Sequence, residues 1–211
     1  MKNSLFHIRH MQADVLVIGG GLAGCSAAIR ARELGASALL VEKSHVRRSG
    51  NACSGVDHTW CYFPEAHDPQ GFTPRQLLED HLARLGPMQD HDMIMTIAEN
   101  IGDRIKELET WGFPFKTNGK YNFVKKIHRV PSFMHWAGRD QKVLFEQKAR
   151  EVGTDILNRV MIIDLLKQNG RVVGALGMGL REPIIYIFSS RAVVMASGGI
   201  SRIFPPATCL D

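Results

Sequence analysis

The chain has 211 residues, of which 45% are apolar and 22% charged, and it carries a net charge of +5. These values are typical of a globular protein with a sizeable core. No apolar run approaches the roughly 18 residues that a membrane-spanning helix needs, so we expect no direct membrane insertion. Basic residues are scattered and form no long stripe, which argues against nucleic acid binding and favours a small anionic ligand.

The cysteine pattern predicts no metal site, and the N-terminal segment predicts no export. None of the four stands in a Cys-x-x-Cys pair, so no metal site is predicted. The segment before Met11 lacks the apolar stretch of an export signal. We therefore expect a cytoplasmic protein with reduced thiols, while a disulfide between Cys53 and Cys61 stays open.

The N-terminal part of the chain predicts a βαβ unit. After a flexible tail over residues 1–12, the apolar run Ala13–Ile18 is typical of a strand buried on both faces of a parallel sheet. A glycine-rich turn leads into a helix over Leu22–Leu34, which ends at Gly35, and a second strand covers Ala38–Val41. This order indicates an α/β fold with a parallel sheet.

The rest of the chain alternates loops, helices and strands. A long irregular loop covers Lys43–Pro69, and such loops are commonly functional. Apolar spacing and end signals predict helices over Thr73–Leu85, Asp92–Trp111 and Gln141–Val152. A hairpin within Phe113–Val130 turns at Asn118-Gly119. An antiparallel meander over Val160–Lys167, Arg171–Met178 and Ile184–Ser189 is followed by a short apolar run over Arg191–Met195.

The first motif is Gly19-x-Gly21-x-x-Gly24, between the first strand and the first helix. Its glycines permit, in order, a tight turn, close approach of the backbone to a pyrophosphate, and close packing of the helix on the strand. Leu22 and Ala23 lie in the first helical turn, where free N–H groups and a partial positive charge favour phosphate. The motif predicts a dinucleotide site.

An acid follows at the expected distance. Glu42 stands 18 residues after Gly24, at the end of the second strand, and Lys43 follows it. A carboxylate there can accept hydrogen bonds from a ribose 2′-hydroxyl and would repel a 2′-phosphate. These features alone do not separate NAD from FAD.

The second motif lies in the long loop, where Lys43–Gly55 reads KSHVRRSGNACSG. It resembles the V-E-K segment and the R-S-G or R-S-H loop of the flavoprotein subunits of succinate dehydrogenase, fumarate reductase and adenylylsulfate reductase. In that family the loop runs beside the pyrophosphate and the flavin ring. The resemblance implies that cofactor contacts come from Lys43, Arg48, Ser49, Gly50, Ser54 and Gly55.

The third motif is Ala196-Ser197-Gly198-Gly199, which resembles the A-T-G-G of the same family. The preceding NGRVVGALG, residues 169–177, also resembles a family segment. The resemblance covers nearly all of Ala13–Pro205 and implies a Rossmann-like FAD-binding domain over 1–211 that carries an inserted antiparallel meander. FAD would lie extended, with Ala196–Gly199 along its flavin side.

The resemblance also implies an FAD-dependent oxidoreductase that transfers two electrons to or from a small dicarboxylate-like or adenylylsulfate-like anion. The partner of a full-length form would be an iron–sulfur protein that carries the electrons. Gly50 stands where membrane-complex members have the histidine that links the flavin, so the FAD is expected to be non-covalent. The substrate-binding capping domain of relatives follows the third motif and is absent from these 211 residues, so no catalytic residue is assigned.

Two other classes stay open. The early end of the chain favours a truncated, catalytically inactive flavoprotein fragment. A plain NAD-binding dehydrogenase would use only the first motif, and the second and third motifs argue against it. Outside the motifs, Asp57 and His58 could form an acid–base pair or a hydrogen-bonded turn, and His128 and His135 could face a substrate or lie on the surface.

Overall fold

The computed structural model describes residues 6–53, 56–86, 88–124, 131–136 and 141–199. These described residues divide into two compact units, one within the ranges 1–56 and 139–211 and one within the range 57–138. The sequence pattern did not indicate this division, because the segment 57–138 shows its own helices and strands but no boundary rich in glycine or proline.

The strands and helices are defined here in chain order. They are β1 (His7–Ile18), α1 (Leu22–Glu33), β2 (Ala38–Glu42), β3 (His58–Trp60), α2 (Pro64–His67), α3 (Pro74–Leu85), α4 (His91–Thr110), β4 (Lys116–Thr117), β5 (Lys120–Val124), β6 (Phe133–His135), α5 (Gln141–Glu151), β7 (Asp155–Asn158), β8 (Val160–Gln168), β9 (Arg171–Gly179) and β10 (Ile184–Met195). The four longer helices, α1, α3, α4 and α5, begin and end within two residues of their predicted bounds. The short elements β3, α2, β6 and β7, of three or four residues each, were not predicted. Two of them, β3 and α2, lie within the predicted loop Lys43–Pro69, which is therefore not irregular throughout.

The first unit contains a six-stranded sheet in the order β7-β2-β1-β10-β9-β8. The first four strands of that order are mutually parallel, and β9 and β8 extend the sheet in antiparallel fashion. The α/β class and the antiparallel meander are therefore confirmed. The last strand of the meander continues to Met195 and pairs with β1 as part of the parallel sheet. The predicted strands Ile184–Ser189 and Arg191–Met195 are thus one element.

The predicted tail over residues 1–12 is wrong for its second half. Residues 7–12 belong to β1 and pair in parallel register with residues 184–189 of β10. Four of these six side chains are polar, and the two apolar ones, Ile8 and Met11, do not alternate with them, so the sequence shows no strand pattern here. All but Met11 are exposed. The partner strand supplies the backbone hydrogen bonds that keep this segment extended.

The core of the first unit lies in the sheet. Leu16, Leu39, Val41, Val160 and Phe188 are almost completely buried and form one cluster. All five side chains of β2 are buried, as expected for a strand covered on both faces. The carboxyl ends of β1, β2 and β10 meet at one edge of the sheet, and this edge carries the motifs.

The second unit has its own core and its own sheet, in the order β3-β6-β5-β4. Helix α3 begins with a capping box formed by Thr73 and Gln76, and Tyr62, Leu77 and Ala98 form a buried cluster. The hairpin between β4 and β5 turns at Asn118 and Gly119, as predicted, and the predicted residues 125–130 lie outside the described ranges. None of the helices in the described ranges combines the length and apolar character needed to cross a membrane.

Candidate functional site

The glycine turn between β1 and α1 is closely packed. The N–H of Gly19 donates to the carbonyl oxygen of Val41 at 2.9 Å. Gly19 has φ +103°, and a Cβ there would overlap the carbonyl oxygen of Ala196. A Cβ at Gly24 would overlap the carbonyl oxygen of Gly19. Among the described residues, a Cβ at Gly21 would meet only the Cα of Gly50, at 3.8 Å. The first and last glycines therefore serve packing, and the middle one leaves open space.

The first turn of α1 offers unpaired N–H groups next to that space. The first helical hydrogen bond runs from the N–H of Cys25 to the carbonyl oxygen of Gly21. Gly21 is the N-cap and provides no side chain, so within the described residues the N–H groups of Leu22, Ala23 and Gly24 lack a capping acceptor. The helix dipole adds a partial positive charge here. This arrangement is suited to binding an anion such as a phosphate.

Glu42 is buried at the end of β2, with 5% of its surface exposed. Its Oε2 accepts a hydrogen bond from the N–H of Gly20 at 2.6 Å, and its Oε1 accepts one from the N–H of Ser44 at 2.7 Å. The carboxylate thus stabilises the glycine turn. Each oxygen can accept a further hydrogen bond, so a contact to a ribose remains compatible with this geometry.

The carbonyl oxygen of Gly20 is held by side chains that come from distant parts of the chain. Ser49 Oγ donates to it at 2.7 Å and Lys142 Nζ at 2.6 Å. Lys142 is only 2% exposed although it lies in the first turn of α5. Sequence reasoning missed Lys142, because a lysine near a helix start is usually a solvated residue and no motif surrounds it.

The loop of the second motif folds back on the glycine turn. Gly50 has φ +76°, and a Cβ there would lie 2.9 Å from the Cα of Gly21. Ser49 is buried, whereas Lys43 and Arg48 are exposed, and the predicted Ser54 and Gly55 lie outside the described residues. The structure therefore brings Ser49 and Gly50 to the glycine turn.

Two side chains anchor the same loop from the other side. Asn158 Oδ1 accepts a hydrogen bond from the N–H of Val46 at 2.8 Å. Gln141 Nε2 donates to the carbonyl oxygens of Ala52 at 2.8 Å and Val56 at 3.0 Å. Both anchors come from elements that follow the loop by many residues, so only the tertiary structure reveals them.

A buried carboxylate also ties the loop to α5. Glu146 accepts from Arg47 Nε at 2.6 Å and from Arg150 Nη2 at 3.0 Å, and its side chain is 4% exposed. Burial alone raises the pKa of the Glu146 carboxyl, but hydrogen bonds and charge from the two arginines outweigh it and hold that pKa below its ordinary value. The triad stabilises the loop at neutral pH.

The third motif lies beside the first. The N–H of Ala196 donates to the carbonyl oxygen of Ile18 at 2.8 Å, which places the end of β10 next to the start of the glycine turn. Ala196 is half-buried, and Ser197, Gly198 and Gly199, which follow it, are exposed. Three motifs separated in sequence therefore meet at the carboxyl edge of one parallel sheet, where α/β proteins bind their ligands.

The second unit contains a separate polar cluster. Asp57 contacts Nδ1 of His58 at 2.7 Å through one carboxylate oxygen and Nε2 of His135 at 3.0 Å through the other. A hydrogen bond with His58 and the proximity of His135 lower the pKa of Asp57. Asp57 therefore stays ionised at neutral pH and orients both rings. His128 lies outside the described residues.

The described cysteines are unpaired. Cys25 and Cys61 are buried free thiols and Cys53 is an exposed one, so the disulfide between Cys53 and Cys61 that the sequence left open is not formed. Burial raises the pKa of the Cys61 thiol to about 12.

Comparison with known proteins identifies the family. Residues 14–210 match the model of the FAD binding domain. The chain is 28% identical to a chain of the fumarate reductase (CoM/CoB) of Methanothermobacter marburgensis, over 92% of this chain and 36% of that protein. It is 26% identical to the alpha chain of adenylylsulfate reductase from Megalodesulfovibrio gigas, over 92% of this chain and 32% of that protein.

A solved structure has the same fold. Adenylylsulfate reductase from Archaeoglobus fulgidus superposes with a TM-score of 0.81 and 29% identity, over 94% of this chain and 32% of that chain. The chain spans about a third of the length of the curated relatives named above. Because the family model covers nearly the whole sequence and its cofactor is FAD, the chain belongs to the FAD-binding domain family.

Proposed function

We propose that this chain is the FAD-binding portion of a flavin-dependent oxidoreductase related to fumarate reductase and adenylylsulfate reductase flavoproteins. The main support for the proposal is the contact between the Gly19–Gly24 turn and Ala196. This contact places the first and third motifs next to the unpaired N–H groups at the start of α1. FAD supplies two-electron transfer when it is bound, and the protein supplies position and electrostatics.

The motifs assign parts of the cofactor to parts of the site. The turn Gly19–Gly24, with the N–H groups of Leu22 and Ala23, would hold the diphosphate. Glu42 and Lys43 would hold the adenosine ribose. The flavin side would be lined by Arg48, Ser49, Gly50, Ser54 and Gly55 and by Ala196, Ser197, Gly198 and Gly199. With glycine at position 50, the cofactor would be held without a covalent link there.

The substrate of a full-length form would be a small anion, and the partner an iron–sulfur protein that carries the electrons. The names of the two relatives specify fumarate and adenylylsulfate, both anionic. The net charge of +5 is compatible with an anionic ligand. Substrate contacts and the catalytic proton donor would come from parts of a longer protein.

The proposal is tested by cofactor binding. The purified chain should show a flavin spectrum, quench the fluorescence of added FAD on binding, and release it when ADP competes for the same site. A nicotinamide-dependent fluorescence change without flavin binding would instead support an NAD-binding dehydrogenase. Bound FAD without reduction of fumarate or adenylylsulfate by a reduced dye would support the alternative of a catalytically inactive fragment.

A further inference from the structure

Lys142 is a buried lysine below the glycine turn. Its Nζ donates to the carbonyl oxygen of Gly20 at 2.6 Å and lies 3.3 Å from Sγ of Cys25. Among the described residues, no carboxylate lies within ion-pair distance of this nitrogen. Removing an ammonium from water without a countercharge is costly, so a buried unpaired lysine calls for a compensating interaction.

The charges around Lys142 do not supply that compensation directly. The Glu42 carboxylate accepts hydrogen bonds from the N–H groups of Gly20 and Ser44 and forms no ion pair with Lys142. Glu146 is paired with Arg47 and Arg150. Burial, the largest influence, raises the pKa of the Cys25 thiol despite the opposing effect of Lys142, so the thiol is neutral at pH 7. The positive charge of Lys142 therefore has no ion-pair partner among the described residues and is available to an anionic ligand.

The same contact controls the direction of a peptide group. The N–H of Gly20 is held by Glu42, and its carbonyl oxygen is held by both Ser49 and Lys142. Gly19, Gly20 and Gly21 form a run in which backbone rotation meets little steric resistance. Because the carbonyl is fixed toward Lys142, it cannot turn its negative end toward the open space in front of Gly21.

The hydrogen bond from Lys142 to the Gly20 carbonyl also makes the N–H of Gly21 a stronger hydrogen-bond donor. The carbonyl of Gly20 and the N–H of Gly21 belong to one peptide unit. Hydrogen bonds donated to the oxygen polarise that unit and make its N–H a stronger donor. Lys142 thus acts on the anion site through the Gly20–Gly21 peptide, in addition to its own charge.

We propose that Lys142 is a positioning residue for the diphosphate of the cofactor: its buried charge is unfavourable in the empty protein, is compensated when the dianionic diphosphate binds, and orients the Gly20–Gly21 peptide. The inference rests on the proposed FAD-binding function. If Lys142 had only a structural role, replacing it would lower both the stability of the empty protein and its affinity for phosphate. The proposal predicts instead that the phosphate affinity falls while the stability does not.

The test compares Lys142→Met with the wild-type chain, using ADP and adenosine as probes that compete with FAD and restore its fluorescence. We expect ADP binding to weaken by about tenfold to a hundredfold, the range of a hydrogen bond to a charged group. Adenosine binding should be unchanged. The melting temperature of the empty protein should stay the same or rise, since methionine fills a similar volume without a buried charge.

Two further variants complete the design. Lys148→Met removes a lysine from the same helix, 27% exposed, and should leave ADP affinity unchanged. Ser49→Ala removes a second donor to the Gly20 carbonyl, to which Cys25 Sγ also donates at 3.6 Å, and should weaken ADP binding but not adenosine binding. If Lys142→Met does not fold, Lys142→Gln, which also removes the charge but keeps a polar side chain, takes its place with the same expected and contradicting results.

The outcomes are distinct. Equal loss of ADP and adenosine affinity, or unchanged ADP affinity in Lys142→Met, overturns the inference while FAD binding by the wild-type chain leaves the proposed function intact. A wild-type chain that binds neither FAD nor ADP overturns both.

Discussion

Gly19 and Ala196 contact each other where two parallel strands end. The carbonyl oxygen of Ala196 occupies the place that a Cβ of residue 19 would need, and the Ala196 N–H donates to the carbonyl oxygen of Ile18 at 2.8 Å. The first and third motifs are therefore one structural feature. A substitution in either one should affect the same ligand.

Gly24→Ala tests the packing of this feature. The added methyl group would overlap the carbonyl oxygen of Gly19, a backbone atom that cannot move without distorting the turn. We expect a loss of about 1–3 kcal/mol in the free energy of unfolding, measured in urea, and weaker FAD binding. Gly199→Ala is the control for stability, because its Cβ would meet no atom of the described residues within 4 Å. A stable Gly24→Ala protein would contradict the packing argument.

Glu42→Ala tests two roles of one carboxylate. Loss of the acceptor for Gly20 and Ser44 should lower the free energy of unfolding by about 1–3 kcal/mol, and loss of the ribose contact should weaken FAD binding by a similar amount. The roles are separated by comparing adenosine with 2′-deoxyadenosine in wild type and variant. If Glu42 binds the ribose, the wild type prefers adenosine and the variant does not. The same preference in both proteins would leave Glu42 with a backbone role only.

Gly50 determines how the flavin is held. Acid precipitation of the FAD-bound chain should release all flavin into the supernatant, because glycine offers no nucleophile at the position of the family's linking histidine. Fluorescence that stays with the denatured chain would show a link elsewhere. Gly50→His should not create a link: its φ of +76° and a Cβ 2.9 Å from Gly21 disfavour any side chain, so we expect weaker flavin binding instead.

The Glu146 triad predicts a dependence of stability on pH. The folded-state pKa of Glu146 is depressed by Arg47 and Arg150, so its stabilisation is present above the unfolded-state pKa of about 4.3 and is lost as the pH falls through the lower folded-state value. Urea unfolding from pH 7 to pH 3 should show this loss. Glu146→Gln should flatten the curve and cost about 1–3 kcal/mol at pH 7. Glu151→Gln, whose side chain is 67% exposed on the same helix, should leave the curve unchanged. A wild-type curve that matches Glu146→Gln would refute the assignment.

Local patterns were sufficient for much of the architecture. The glycine turn between β1 and α1 and the buried residues of β2 agree with their apolar runs and end signals, since these elements depend on neighbours in sequence. The start of β1 at His7 and the whole of β7 were not predictable in this way. Their side chains carry no strong alternation, and pairing with β10 and β2 stabilises them.

By itself, the sequence determined the α/β class, the family and the three motifs, because glycine spacing and apolar runs reflect local backbone requirements. Only the tertiary structure decided that Lys142 and Ser49 meet at the carbonyl of Gly20 and that Glu42 holds its N–H. Those contacts join residues far apart in the chain, and the burial that gives Lys142 its unpaired charge arises only when α5 packs beside the turn. The strength of an electrostatic interaction depends on how far the charged group is removed from water, and that burial is set by the tertiary structure.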